Sequence, residues 1–480
     1  MNNFSKSILN ILHGAAGAFQ KFPAAIACAL AFAIVTMIRI QLDWPQQEAY
    51  NFLFNCLHWA FALGSIFSLA AITGAQSRYN KSGALLLANL LGLVAAAVTF
   101  LTLYLFGGTD PAQTEYRYIL LSGLAASRVS VAILISFIAF ISLAAYPKDQ
   151  SDIARSLFMT IKAFFIALLY GTVLMSGVSG VAGAIEALLY QGMSEKVYLY
   201  IGTIAGFLAF TIFIGYFPDF RKGQFDEHRQ AAQKQPRFVK ILCEYILIPI
   251  VLALTVVLLL WAVKTILSGM RVSFIQLSSI ATAYTFSGIL LHVLVTHYET
   301  WLSKFYRRFY PIAALVILAF EAWALLTQLQ KVSLQIDSYS FIIIWIIALA
   351  SAVLLFFWQA KAHLPIAVLT CIMAVISVLP VVGYHALPVT AQVNRLETLL
   401  VNQGMLKDNQ LIPAAEKPEA AVRESITDAV NYLAYAEDTK LPVWLIENSP
   451  KAISSRTNSA SNKPGRNPKN LTPVIIWRHP

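Results

Sequence analysis

Charged side chains are scarce in this chain, since lysine, arginine, aspartate and glutamate together make up 12% of its 480 residues. Hydrophobic residues account for 58%, and the mean hydropathy is +0.65. Such a composition is typical of a chain that is solvated mainly by lipid. It disfavours a soluble protein built from several separately folded domains and predicts a membrane protein.

Cysteine is scarce as well. The four cysteines, Cys28, Cys56, Cys243 and Cys371, all fall within apolar segments and show no close paired spacing. Neither a disulfide framework nor a zinc site is therefore predicted, and we expect the cysteines to be small core residues. The chain also lacks a Walker loop, an HExxH pair and a GxSxG elbow, which disfavours an ATP-driven pump, a zinc protease or a hydrolase. No catalytic residue, cofactor or metal site is predicted.

Long apolar segments are abundant. About eleven of them approach the roughly 20 residues with which one helix spans a bilayer. They are Phe22–Ile40, Phe52–Ile72, Leu85–Leu105, Tyr118–Tyr146, Leu157–Met175, Val197–Phe217, Phe238–Leu260, Phe274–Val295, Ile312–Leu329, Phe341–Trp358 and Ile366–Tyr384. The predicted fold is an all-α polytopic transmembrane helix bundle of about eleven spans.

The sequence divides into four predicted regions. Residues 1–21 carry apolar side chains at helical spacing and are expected to form an interfacial segment before an uncleaved first span. The helix bundle occupies residues 22–386. Two amphipathic stripes predict a small extracytoplasmic helical region over residues 387–447. Residues 448–480 are too polar to bury a core, which predicts a disordered tail.

Ser176–Met193 allows two interpretations. Its spaced glycines, Gly177, Gly180 and Gly183, precede Glu186. Such a segment is either re-entrant or broken, which membranes tolerate beside protein or water, or it packs closely against another helix. Close packing is the commoner cause.

The positions of lysine and arginine predict the orientation, because positively charged joints are retained in the cytoplasm. With the N-terminus inside, the cytoplasmic joints contain Arg78/Lys81, Lys148/Arg155, Arg221–Lys240, Lys304–Arg308 and Lys361. The opposite joints, which include Asp43, Glu48 and Asp110, are poor in cations. With eleven spans, the C-terminus is extracytoplasmic.

The net charge of +11 does not predict a nucleic-acid partner, because the cations are spread over several joints. The expected partners are membrane lipids, and the basic joint Arg221–Lys240 is expected to attract anionic head groups as a secondary effect. The helical region after residue 387 is expected to pack on the membrane face, on a second copy of the chain, or on an envelope partner.

Several motifs resemble a known family. They are Lys21–Pro23, Pro236–Phe238, Tyr245–Pro249, Trp301–Pro311 and the spaced residues of Gln392–Leu400. On these residues the chain resembles the bacterial inner-membrane proteins that carry the domain of unknown function numbered four-one-five-three. The resemblance implies a multi-pass fold and an inner-membrane location, and it transfers no active residue. The chain departs from the family pattern after Trp444, where either a disordered tail or a truncated or frameshifted reading follows.

Ionisable residues within apolar segments are the candidate functional residues, because burying one in a bilayer costs at least about 2.5–3.5 kcal/mol without a partner or water. Arg128 and Glu321 fall near the middle of their segments and are predicted to face the bundle interior. His58, Glu244 and His292 lie closer to membrane surfaces and are weaker candidates. A structural role, such as a bundle-locking ion pair or a satisfied core histidine, is the competing interpretation for each.

The predicted function is a solute permease or channel-like protein, since intramembrane charges and proline-bearing spans are typical of such proteins. A non-transport envelope scaffold or signalling protein is the alternative. A membrane-embedded glycosyl or lipid transferase would use Asp43 and Glu48 on the first outer joint, but that joint is short for a substrate-binding loop. The sequence names no solute.

Overall fold

The computed structural model describes residues 16–79, 81–108, 121–148, 151–221, 227–267, 274–414, 416–434, 436 and 441–447. This part of the chain is almost entirely helical, which confirms the predicted all-α polytopic bundle. Residues 16–21, at the end of the predicted interfacial segment, are helical. The rest of that segment, the loop containing Asp110 and the tail 448–480 lie outside the described residues.

The helices occupy most of the described ranges. In chain order they are α1 (Pro23–Gln41), α2 (Gln46–Arg78), α3 (Ser82–Phe106), α4 (Gly123–Ala144), α5 (Ile153–Leu188), α6 (Lys196–Gly215), α7 (Glu227–Gln233), α8 (Arg237–Ile241), α9 (Ile248–Leu267), α10 (Phe274–Leu294), α11 (Trp301–Val332), α12 (Ile336–Trp358), α13 (His363–Ser377), α14 (Leu387–Asn402), α15 (Ala420–Ala434) and α16 (Val443–Glu447). A π-helical turn, Leu242–Leu247, joins α8 to α9, and a 3₁₀ turn, Gln359–Ala362, joins α12 to α13. The antiparallel strands β1 (Leu406–Lys407) and β2 (Gln410–Leu411) form a short hairpin.

Ten helical stretches among the described residues are long and apolar enough to cross a membrane, against the predicted eleven. The difference falls at Ile336–Ser377, which counts as one stretch. Gln359 interrupts it with a φ of 47°, a backbone conformation that ends an α-helix. The Tyr339 hydroxyl, near the start of α12, donates to the carbonyl oxygen of Val382 at 2.7 Å. The chain that follows α13 has therefore returned to the beginning of α12, so the stretch folds back on itself.

Neither interpretation of Ser176–Met193 is correct, because α5 continues through this segment as far as Leu188. The helix is not broken at its glycines. Nor do they pack closely, since a Cβ atom at Gly177 or Gly180 would meet nothing within 4 Å, and one at Gly183 would make only an ordinary contact with Tyr198. The glycines lie in a helix end whose large apolar side chains are exposed.

Small residues allow the first helices to approach closely, as is typical of packing between membrane helices. A Cβ atom added at Gly64 on α2 would lie 2.7 Å from the Cβ of Ala96 on α3. Gly92 on α3 is packed against Ser68 on α2 in the same way. The backbones of α2 and α3 are therefore in near contact, and larger side chains at these positions would separate them.

The chain divides into two compact units. The first contains Met1–Val257, Tyr284–Ala314 and Ala350–Ala374, and the second contains Leu258–Ala283, Leu315–Leu349 and Val375–Pro480. The first unit has an apolar core formed mainly from α1, α2, α4, α5 and α6, in which Phe140, Phe217 and Phe220 are fully buried. The single bundle predicted over residues 22–386 is thus divided between two units.

The C-terminal region, Leu387–Glu447, belongs to the second unit. Its helices α14 and α15 share an apolar core that includes Leu396, Leu400, Ala429 and Leu433. These residues come from the two amphipathic stripes seen in the sequence. The structure adds the β-hairpin between the helices, which the sequence did not predict.

Candidate functional site: a buried histidine cluster

Basic joints that the charge pattern assigns to one side of the membrane meet at one end of the first unit. Arg229 donates to the carbonyl oxygen of Tyr146 at 2.9 Å, and the Arg78 guanidinium lies 4.5 Å from the centre of the Tyr146 ring. Gln235 donates to the carbonyl oxygen of Leu294 at 3.2 Å. Joints far apart in sequence therefore lie together, as the alternation of charge requires. That this end is cytoplasmic stays a prediction.

An acid–imidazole pair lies at this end of the unit. Asp152 is the N-cap residue of α5, where its Oδ1 accepts a hydrogen bond from the Arg155 N–H at 2.9 Å. Its Oδ2 lies 2.7 Å from Nε2 of His297, in the connection between α10 and α11. Both side chains are a little more than two-fifths exposed, so the pair is in contact with solvent.

The environment of Asp152 favours its charged form. Burial acts to raise the pKa of the carboxyl group, but the hydrogen bonds from His297 and from the Arg155 N–H, together with the charges of both residues, outweigh it. The pKa of Asp152 is therefore held below its usual range. Its carboxylate remains a hydrogen-bond acceptor for His297 at mildly acidic pH.

Two buried imidazoles lie beyond this pair. His292 is in the last turn of α10 and His363 begins α13; their ring centres are 6.2 Å apart and their planes are nearly perpendicular. His292 is fully buried and His363 is 5% exposed. Among the described residues, no hydrogen bond of standard geometry reaches either ring nitrogen of His292 or Nε2 of His363, although the His292 ring lies beside the Arg307 backbone. His363 is within electrostatic reach of Asp152 and His297.

Asp152, His297, His363 and His292 are called the histidine cluster below. The cluster extends from a half-exposed pair to two buried rings whose nitrogens are available. A neutral imidazole offers one donor and one acceptor nitrogen, and it can also take up a proton. In the part of the chain that the structure describes, no group of three histidine, cysteine or acidic residues could hold a metal ion. The arrangement suits a hydrogen-bonding solute or a proton because these buried ring nitrogens have no hydrogen-bond partner among the described residues.

The connection that carries His297 is held in place by neighbouring side chains. The Arg307 guanidinium donates to the carbonyl oxygens of Val295 and Thr296. The hydroxyl of Thr296 in turn donates to the carbonyl oxygen of His292 at 2.9 Å. Arg307 therefore positions the end of α10 rather than supplying a free cation to the cluster.

Asp152 gives the pair a testable pH dependence. Because its pKa is lower in the folded protein than in the unfolded chain, its contribution to stability is complete above the unfolded-state pKa of about 4 and is lost as pH falls through the folded-state value. We expect Asp152→Asn, which preserves the N-cap, to lower the melting temperature above about pH 5 and to approach the wild type as pH falls below the folded-state pKa of Asp152. Melting curves across this range, with the exposed Asp408→Asn as control, measure it. If the melting temperatures of the wild type and of Asp152→Asn differed by the same amount at every pH, the lowered pKa of Asp152 would be contradicted.

Glu244 makes a polar contact in the first unit that is separate from the histidine cluster. It lies in the π-helical turn Leu242–Leu247, is 1% exposed, and accepts a hydrogen bond from the Ser303 hydroxyl at 3.2 Å. Lys240, one turn earlier, has its Nζ 5.6 Å from the centre of the Tyr298 ring. Single π-helical turns are frequent at functional sites. Here the turn places Glu244 against the first turn of α11, which ties the two helices together.

His58 lies between α1 and α2, where its ring has a hydrogen-bond partner. Its Nε2 lies 3.0 Å from the hydroxyl of Thr36, which itself donates to the carbonyl oxygen of Phe32. A packing role explains this histidine.

The predictions for the mid-span charges have different outcomes. Glu321 is 2% exposed, as predicted, and its Oε1 has no hydrogen-bond partner among the described residues. Arg128 does not lie at mid-span, because Ser122 caps α4 through the Ala125 N–H and the helix begins at Gly123. Arg128 is thus in the second turn and its side chain is exposed, so the prediction that it faces the interior is wrong. The two charges belong to different units.

Two polar groupings were not predicted from the sequence. Arg39 near the end of α1 donates to the side-chain oxygens of Asn51 and Asn55 on α2, at 3.0 and 3.1 Å. The i, i+4 spacing of the two asparagines is the sequence signal that could have identified this contact. His363 was also missed, because it lies beside Lys361 in a joint and not within an apolar segment.

The carboxylate that a transferase mechanism would need on the first outer joint already has a partner. Asp43 lies 2.7 Å from the Nζ of Lys196, which also donates to the carbonyl oxygen of Gln41. This ion pair connects two joints that the charge pattern assigns to the opposite side from the histidine cluster. A structural role in joining these two joints therefore accounts for Asp43 without a catalytic function.

Comparisons of the chain with protein-family models, with curated proteins and with solved structures found no match. The resemblance described above therefore stays a prediction.

Proposed function

We propose that this chain is a solute permease of the bacterial inner membrane, and that the histidine cluster is a polar site on its transport path. The observation that carries the proposal is the buried pair His292 and His363, with three ring nitrogens that have no hydrogen-bond partner among the described residues. Buried polar groups are nearly always paired, and leaving one unpaired costs about 1–3 kcal/mol. A site that binds and releases a polar solute or a proton accounts for this cost.

The pattern of exposure supports the same interpretation. Asp152 and His297 are in contact with solvent at the end of the first unit where the basic joints meet. His363 and His292 are almost completely buried. A solute or proton arriving at this end would meet groups of increasing burial, as a transport path requires.

An envelope scaffold is the second candidate. It is favoured by the C-terminal region, which has its own apolar core and which the charge pattern assigns to the outer side. Such a protein would need no access to His292 or His363 from either side of the membrane. Accessibility therefore distinguishes the two functions.

Cysteine accessibility tests the proposal without knowledge of the solute. In a background without the four native cysteines, His363→Cys is treated with a membrane-impermeant thiol reagent in right-side-out and in inverted vesicles. A permease that alternates its access should be modified from both sides. Because only a path through the protein admits a charged reagent to a 5% exposed position, modification from neither side would contradict the proposal.

Matched variants serve as controls in the same vesicles. Gln230→Cys and Asn409→Cys, both at exposed positions, should react from opposite sides, which also tests the predicted topology. Ala163→Cys, in the fully buried apolar core, should not react from either side. Reaction of Gln230 and Asn409 from the same side would show that a span has been miscounted.

A further inference from the structure

Three aromatic rings form a ladder on the first turns of α11. Trp301, Phe305 and Phe309 follow one another at four-residue spacing, and adjacent rings stack with centres 5.5 and 5.2 Å apart and planes within 15° of parallel. Trp301 is 76% exposed and Phe305 is 40% exposed. The ladder is therefore a flat apolar surface on the outside of the first unit.

The length of α11 places this ladder at the depth of the lipid head groups. The helix has 32 residues and is about 48 Å long, whereas the hydrocarbon core of a bilayer is only about 30 Å thick. Lys304, Arg307 and Arg308 all fall within its first eight residues. These charges are most easily solvated outside the hydrocarbon, so the first turns of α11 extend into the interface, where tryptophan is enriched.

The three cations of these turns differ in their contacts. Lys304 is 2.8 Å from Glu299, and Arg307 donates to backbone carbonyl oxygens at the end of α10. Arg308 is exposed and has no ion pair or hydrogen bond within the described residues. It lies next to Phe309 in sequence and three residues after Phe305, on the flank of the ladder. A guanidinium beside an apolar wall is thus available to an anionic group.

We propose that this face of α11 binds an anionic phospholipid, with Arg308 contacting the phosphate and the upper acyl chain lying against Phe305 and Phe309. Arginine is suited to phosphate because its planar fork presents several donors. Ile312, one turn further along the helix, is 45% exposed and extends the apolar surface towards the hydrocarbon. The ladder therefore supplies the contact for the lipid chain, and Arg308 supplies the charge complementarity.

This site is separate from the basic joint Arg221–Lys240, whose attraction for anionic head groups stays a prediction. In that joint Arg229 is 4% exposed, and its guanidinium is engaged with backbone carbonyl oxygens. Arg221 lies 2.8 Å from Asp219. Arg229 and Arg221 therefore already have partners within the protein, which reduces the charge that this joint can offer to lipid head groups. The inference does not depend on whether the protein is a permease.

Lipid titration of the full-length protein tests the site. The detergent-solubilised protein is titrated with a short-chain phosphatidylglycerol and with the phosphatidylcholine of the same chain length, and bound lipid is counted by native mass spectrometry. The wild type should prefer phosphatidylglycerol. Arg308→Gln should lose about fivefold in affinity for it, which corresponds to about 1 kcal/mol, and should bind phosphatidylcholine unchanged. Phe305→Ala should weaken the binding of both lipids.

Two further variants make the result specific. Arg308→Lys keeps the charge but not the planar fork and should lose less affinity than Arg308→Gln, which shows that the loss in Arg308→Gln comes from the missing charge and not from misfolding. Arg221→Gln removes an exposed arginine from another basic joint and should bind phosphatidylglycerol like the wild type. The proposal is overturned if Arg221→Gln and Arg308→Gln lose equal affinity, or if Arg308→Gln loses none. Competition by glycerol phosphate as strong as that by the lipid would also overturn it, since a soluble phosphate would then be the ligand.

Discussion

Replacing Gly288 with alanine should lower the melting temperature of the solubilised protein by several degrees, a loss on the order of 3 kcal/mol. A Cβ atom at this position in α10 would overlap the ring of Tyr310, which is 2% exposed. That ring cannot move freely, because its centre lies 5.4 Å from the ring of Tyr306 and 5.6 Å from that of Tyr284. Tyr306 also donates to the carbonyl oxygen of Gly288 at 2.8 Å. The new methyl group must therefore displace a packed set of tyrosines.

Gly177→Ala is the matched control for this change. Gly177 also lies within a membrane helix, but a Cβ atom there would meet nothing within 4 Å. Since alanine is favoured over glycine in helices by about 1 kcal/mol, this variant should melt at the same temperature or higher. Thermal denaturation followed by circular dichroism compares the two. Equal effects would mean that the closeness of Gly288 to Tyr310 does not determine the outcome.

Arg395→Ala should loosen the C-terminal region, with a loss of about 2–3 kcal/mol in its stability. The guanidinium donates to the last turn of α11 at the carbonyl oxygen of Val332 and to the carboxylate of Asp428 on α15, both at 2.9 Å. Gln392, which is fully buried, donates to the carbonyl oxygens of Val332 and Leu334. Arg395 is thus the charged group that joins α11, α14 and α15.

Hydrogen exchange of the backbone amides measures this loss. Amides of α14 and α15 should exchange faster in Arg395→Ala, while those of α2 and α5 should keep their wild-type rates. Arg395→Lys keeps the charge but not the fork geometry and should show an intermediate effect. Asp428→Asn, combined with Arg395→Ala, completes a double-mutant cycle. Strict additivity in that cycle would show that the two side chains are not coupled.

Hydropathy predicted the fold class and the positions of most spans, because the requirement for about 20 apolar residues acts on each segment separately. Helix boundaries were less predictable. Apolar residues before Ser122 were counted into the fourth span, although its hydroxyl caps the helix at that point. The glycines of α5 gave a false signal, since glycine is also compatible with a helix end where it makes no close contact of its own.

The candidate site was less accessible to sequence reasoning. The apolar setting of His292 identified it, but its partner His363 comes from a joint far along the chain, and only the tertiary structure brings the two rings together. Arg128 was overvalued because its depth was measured from the wrong helix start. The motifs behind the family resemblance were informative in another way: Tyr306 and Arg395, both from these motifs, make the packing and anchoring contacts described above.

Helix α5 also determines how the protein responds to bilayer thickness. Its exposed apolar side chains extend from Phe164 to Leu188, about 36 Å at 1.5 Å per residue, whereas an average hydrocarbon core is about 30 Å thick. Hydrophobic mismatch of this kind is relieved by tilting the helix or by local thickening of the bilayer, at a cost of a fraction of a kcal/mol per ångström. At its glycine-bearing end α5 is joined to α6 by the hydrogen bond that the Tyr198 hydroxyl donates to Glu186 at 2.6 Å, so the two helices would tilt together. Lipids with longer acyl chains should therefore suit this protein better than short ones.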